Sequence, residues 1–260
     1  MILHRVIAHF RKHEWTAIAI EFIVVVAGVF VGLQVTNWNE AMATARRAEY
    51  FETRLVSDLR EEAWGYEYLI EYNEDVLTNI ARTIESLSGR NDVSDEQFLI
   101  HAYRATQYSF NDRKRATFDE LISSGEIGLI ADPLLRETAI LVFSSPIFEI
   151  IMEDGRAAEY RALFRRSVPV NVQTRLLERC GDRVVSPGDY VLIKGSLDYQ
   201  CGLDLSEAEI SAAAAALRNN KELLPALQLR ASDGATARGL LTTTNVDMRR
   251  RLRAIAGDLQ

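Results

Sequence analysis

The chain has 260 residues, 48% hydrophobic and 26% charged, with 14 Gly and 5 Pro. That length holds a membrane segment plus one domain of about 200 residues with a substantial core, and the low Gly and Pro content argues against a disordered or fibrous chain. The net charge is −7, of which residues 1–38 contribute +1 and residues 39–260 the remaining −8; an acidic domain repels phosphate backbones, so nucleic acid is not an expected partner.

Residues 1–14 place Ile2, Leu3, Val6, Ile7 and Phe10 on one helical stripe and His4, Arg5, His9, Arg11 and Lys12 on the other side. This pattern predicts a short amphipathic helix on the cytoplasmic leaflet. Residues 15–38 form the expected transmembrane helix. At about 1.5 Å per residue it reaches roughly 34 Å, enough for a hydrocarbon core, and Trp15 and Trp38 sit at its two ends as interface anchors. The apolar stretch exceeds a signal-peptide core, so it reads as an uncleaved signal anchor. The positive amino end predicts a cytoplasmic N-terminus and an external bulk, with membrane lipid as an obligatory partner.

Two features of the span ask for another helix. Gly28 and Gly32 form a GxxxG, which lets backbones approach closely. At about 100° per residue, Ala17, Glu21, Gly28, Gly32, Val35 and Asn39 share one face. Glu21 either snorkels to the cytoplasmic interface or contacts a neighbouring helix there. The face predicts a membrane-protein partner or a homo-oligomer joined through the span.

Residues 39–260 read as an external helical domain. Asn39 is placed to cap a stem helix, into which the span continues with little break. Phe51, Leu55, Leu59, Tyr66, Leu69, Ile70, Val76, Leu77, Ile80, Ile84 and Leu87 recur at spacings of three and four up to Ser88-Gly89. The stem carboxylates Glu61, Glu62, Glu67, Glu71, Glu74 and Asp75 read as its solvated face, and the basic runs 113–115 and 249–251 as solvated faces of other helices. Trp64, Tyr66, Tyr68 and Tyr72 spread over more than one face. Core packing is the simplest reading for them, and a ligand or partner surface the alternative. Further helices are expected from Ser94 to about Ser109, from a Thr117 cap, from Asp132-Pro133, from Pro146 to about Arg166, from Ser206 to Arg218, and over 221–230 and 235–256. Gly125 suits a left-handed helix end, making Ser123-Ser124-Gly125 a corner between two helices. Short loops between helices predict an antiparallel all-α bundle.

One insertion, residues 179–202, differs. Ser186-Pro187-Gly188-Asp189 is a turn flanked by Arg183-Val184-Val185 and Tyr190-Val191-Leu192-Ile193, which predicts a small hairpin or a loop. Cys180 and Cys201, the only cysteines, bracket it. On the oxidising side of a membrane they are expected to pair, a closure worth about 3 kcal/mol.

The catalytic inventory is sparse. His101 is the one histidine beyond residue 13, and a lone helical histidine is more often a packing residue than a catalyst. No metal-binding spacing, nucleophile elbow or phosphate loop is present. No catalytic residue, metal or cofactor is therefore expected.

Two blocks carry a resemblance. EFIVVVAGVFVGLQVTNWNE, with its early Glu and NxWNE-like exit, resembles the span of an uncharacterised family of bacterial single-pass inner-membrane proteins. TFDELISSGEIGLIADPLLRETAI resembles that family's second landmark through Phe118, Leu121, Ser124-Gly125, Leu129-Ile130 and Asp132. Together the blocks cover about a fifth of the chain. The resemblance implies a bacterial inner-membrane location, a helical periplasmic domain and no assigned activity. The leading expectation is a non-enzymatic envelope protein whose periplasmic domain mediates protein association. The alternatives are a ligand-sensing bundle that signals through a partner, and an enzyme subunit.

Overall fold

The computed structural model describes residues 15–109 and 112–257. The amphipathic segment expected over 1–14, with His4 and His9, lies outside the described residues. The chain divides into two units, Met1–Glu52 and Thr53–Gln260. Among the described residues every regular element is helical, so the protein is all-α.

One helix, α1 (Trp15–Leu87), runs through both units. No proline interrupts its sequence, and Asn39 lies inside it. The expected cap at Asn39 is therefore not formed: with helical residues on both sides, no amide there needs a side-chain acceptor. The helix ends where Ser88-Gly89 predicts, with Gly89 at φ +67° and the Arg90 amide donating to the Glu85 carbonyl at 2.9 Å.

In the first unit, residues 15–38 are exposed throughout. An 18-residue window of this stretch has a mean hydropathy of 2.5 and no buried residue, so the helix is long and apolar enough to cross a bilayer.

The second unit wraps the rest of the chain around the C-terminal half of α1. Leu55, Leu59, Tyr66, Ile70, Tyr72, Val76 and Ile80 are buried along it, a stripe wide enough to take packing from several sides. The surrounding helices are α2 (Asp95–Arg104), α3 (Ala116–Ser123), α4 (Pro133–Phe143), α5 (Ile147–Ala157), α6 (Glu159–Ser167), α7 (Val170–Cys180), α8 (Glu207–Arg218), α9 (Leu223–Gly239) and α10 (Val246–Ala256). Helix α2 packs on α7 and α8, α6 on α8 and α9, and α4 on α10. Ser94 caps α2 by accepting from the Gln97 amide. Asp132 caps α4 from in front of Pro133, and Ser206 and Glu209 form a reciprocal capping box on α8.

Several boundaries differ from the expectation. Helix α3 begins at Ala116 without a side-chain cap, so Thr117 is inside it and buried. The helix expected from Pro146 to Arg166 breaks at Ala158, whose ψ is 127°. Helix α7 was not foreseen, although Pro169 followed by Val172, Leu176 and Cys180 at spacings of four marks it. Gly234 does not separate two helices but lies within α9, where a Cβ would come within 2.8 Å of Leu77 Cδ2; close packing, not chain reversal, requires the glycine. The break comes later, at a π turn over Leu240–Thr244. The Tyr66 hydroxyl donates to the Leu241 carbonyl there at 2.8 Å, satisfying a group displaced from the α-helical ladder.

Residues 181–200 form a loop without strands. Ile193 and Leu197 turn into the core while Val184 and Val191 are 98% and 83% exposed, so the two flanks share no apolar face on which a hairpin would rest. The Ser186–Asp189 turn is present, closed by a 3.0 Å bond from the Asp189 amide to the Ser186 carbonyl. The Cys180–Cys201 disulfide is formed.

Candidate functional site

The first candidate is the exposed apolar stretch of α1, residues 15–38. Gly28 and Gly32 have nothing within 4 Å of where a Cβ would stand. Neither glycine is required by packing within the chain, and each lowers helix propensity by about 1 kcal/mol relative to alanine. Both glycines lie on the helix face that also carries Glu21. Trp15 and Trp38, at the ends of the apolar stretch, are 60% and 64% exposed.

The aromatic cluster is not an exposed surface. Tyr66 and Tyr72 are fully buried and Trp64 nearly so. Trp64 stacks on Tyr68 at 5.2 Å, and Tyr68 contacts Tyr72 at 5.7 Å. Their polar tips are used internally. The Trp64 indole N–H donates to the Asp189 carbonyl at 3.1 Å, tying the loop turn to α1. The Tyr72 hydroxyl meets both Asp182 carboxylate oxygens, at 2.9 and 3.0 Å. Burial pushes the Tyr72 hydroxyl well above its ordinary range, and the facing Asp182 charge adds to this. Burial likewise raises Asp182, with the Tyr72 bond pulling it back. The cluster is core that anchors a loop and a π turn, because Trp64, Tyr66 and Tyr72 each find a partner for the polar end of the ring.

The stem carboxylates and basic runs were both expected to be solvated, and part of each is not. Glu62 is 2% exposed. It accepts from Arg113 Nε at 2.6 Å and from the Lys114 amide at 2.9 Å. Arg113 in turn lies over the Phe148 ring at 4.1 Å and donates to the Val142 carbonyl. Glu67 is 8% exposed and receives bidentate bonds from Arg249 and Arg253, all between 2.7 and 2.9 Å. Burial opposes its charge, but the two guanidiniums outweigh it and hold the Glu67 pKa at about 2. These are structural clasps between α1 and distant segments.

The polar cleft beside the disulfide was missed from sequence. It has a volume of about 450 Å³ and is lined by Arg82 of α1, Gln97, His101 and Arg104 of α2, and the Asp198–Cys201 stretch. Arg104 is 2% exposed. It donates to the Cys180 and Tyr199 carbonyls at 3.3 and 2.8 Å and lies 4.6 Å from the Tyr199 ring centroid. Asp198 pairs with Arg82 at 2.8 Å. An arginine on the same helical stripe as Ile100 is the signal that was available. The Ser123-Ser124 hydroxyls bond the Glu120 carbonyl of their own helix, consistent with a corner. Among the described residues no three His, Cys, Asp or Glu side chains are grouped to hold a metal ion.

No protein-family model, curated protein or solved structure matches this chain.

Proposed function

We propose that the protein is a single-pass membrane component, anchored by residues 15–38, that associates with a second membrane protein or with its own copies through the Glu21–Gly28–Gly32 face. The observation that carries this reading is a pair of glycines, four apart, on an apolar helix where the chain itself leaves their Cβ positions empty. A vacant small-residue groove lets a neighbouring backbone approach and gain dispersion contacts that lipid tails cannot match.

In this reading the span is an uncleaved signal anchor in a bacterial inner membrane, with residues 39–260 in the periplasm. The resemblance to single-pass proteins with an NxWNE-like exit belongs to the same proposal, and so does an accessory or scaffold role without chemistry of its own. The disulfide supports the orientation, because oxidising compartments favour such bonds. Mild crosslinking in intact membranes followed by affinity purification tests the proposal. The expected result is a reproducible crosslinked species that Gly28→Leu weakens. A monodisperse, uncrosslinked monomer in both proteins would contradict it.

A further inference from the structure

The cleft beside the disulfide has a division of labour that structural pairing alone does not require. Arg104 spends Nε on the Cys180 carbonyl and Nη2 on the Tyr199 carbonyl and Cys201 Sγ. Its Nη1 faces the Asp198 carboxylate in an ion pair at 3.6 Å, longer than a hydrogen bond. Buried, stacked on Tyr199 and held by two carbonyls, Arg104 is a preorganised cation whose Nη1 is held by charge alone, in a long ion pair with Asp198 that it shares with Arg82.

His101 supplies the opposite. Its Nδ1 lies 2.9 Å from Asn79 Oδ1. The Asn79 amide is oriented by its own 2.7 Å donation from Nδ2 to the Asp75 carbonyl. Nδ1 therefore carries the proton in the neutral ring, and Nε2 is left as an acceptor. Burial, reinforced by the Arg82 and Arg104 charges, pushes the His101 pKa down to about 4, so the ring is neutral at pH 7. With His101 neutral, Arg82, Arg104 and Asp198 give the lining a net charge of +1. The volume of about 450 Å³ lies in the range of small-molecule sites.

We propose that the cleft lined by Arg82, Gln97, His101, Arg104 and Asp198 binds a small hydroxycarboxylate monoanion, its carboxylate on the Arg104 and Arg82 guanidiniums and its hydroxyl donating to His101 Nε2. The disulfide holds the Tyr199–Cys201 wall against α7, so the site depends on the oxidised loop.

The test is isothermal titration calorimetry of the full chain in a non-ionic detergent at pH 7, with lactate, acetate and inorganic phosphate as probes. Saturable binding of one lactate per chain is expected, at least fivefold tighter than acetate, which lacks the donor for His101. His101→Phe is expected to abolish that preference while leaving acetate binding within twofold. Arg82→Gln should weaken lactate at least tenfold. Gln97→Glu alters an exposed side chain and so preserves the fold; it should weaken lactate severalfold by placing a like charge in the cleft. Reduction with dithiothreitol should do the same. No saturable lactate heat, equal lactate and acetate affinities, phosphate binding more tightly than lactate, or unchanged affinity in Gln97→Glu would each overturn the proposal. None of these results bears on association through the span, which is a separate claim.

Discussion

Removing the Glu62 carboxylate would leave the Arg113 guanidinium under the Phe148 ring with only the half-exposed Glu149, at 3.4 Å, as counter-charge. An uncompensated buried charge is expensive, so Glu62→Ala is expected to lower the unfolding free energy by about 3 kcal/mol or more. Glu149→Ala, which removes a surface partner, should cost under about 1 kcal/mol. Urea unfolding of the detergent-solubilised protein separates the two. Glu67 gives a pH signature. Its pKa is held at about 2, below the ordinary value of 4.5, by Arg249 and Arg253 against the opposing effect of burial. A depressed carboxylate stabilises the fold fully above its unfolded value and loses that contribution as pH falls through the folded one. Stability is therefore expected to drop between about pH 4.5 and pH 2, by about 3 kcal/mol from this group, and Glu67→Gln should flatten that part of the profile. Neither clasp was legible in the sequence. Glu62 and Arg113 lie 51 residues apart and Glu67 and Arg249 182 apart, and periodicity assigns a helical carboxylate to solvent unless a distant guanidinium is known to reach it.

The elements themselves were more legible, because caps and apolar spacing act locally. Ser94, Asp132 and Ser206 cap the helices they precede, and Gly89 and Gly125 take the positive φ that ends α1 and α3. The failures come where tertiary contact overrides local chemistry. Gly234 looks like a breaker and is a contact point for Leu77. The π turn answers to the Tyr66 hydroxyl, 175 residues away. Gly155 is a second contact point: a Cβ there would stand 2.5 Å from Tyr108 Cβ. Gly155→Ala is therefore expected to destabilise by about 1–3 kcal/mol. Gly239 has φ −60° and open space where a Cβ would stand, so Gly239→Ala should be neutral or stabilising by up to about 1 kcal/mol. Thermal melts followed by circular dichroism compare the two directly. For the loop, pairing of Cys180 with Cys201 was legible on the expectation of an oxidising compartment, and the turn they bracket left a hairpin and a loop both open. The apolar runs in Arg183–Val185 and Tyr190–Ile193 allow a hairpin, and the burial of Ile193 and Leu197 beside exposed Val184 and Val191 decides for the loop. Reduction of the disulfide is expected to lower stability by about 3 kcal/mol on the chain-entropy model.

At the scale of the whole molecule, the all-α class and a long apolar N-terminal helix were readable from composition and periodicity. The polar cleft was not, because it assembles Arg82, His101, Arg104 and Asp198 from three separate stretches of chain. The central claim is that one face of the span meets another protein. A photoreactive amino acid placed at single positions of the span in living membranes tests it most directly. Val35 lies on the Gly28–Gly32 face and Val24 at its edge, and Val26 and Leu33 lie on the far side at about 100° per residue. The account predicts protein adducts from Val24 and Val35, few from Val26 and Leu33, and loss of the adducts when Gly28→Leu is added. Adducts of equal yield all round the helix, or none at any position, would contradict it.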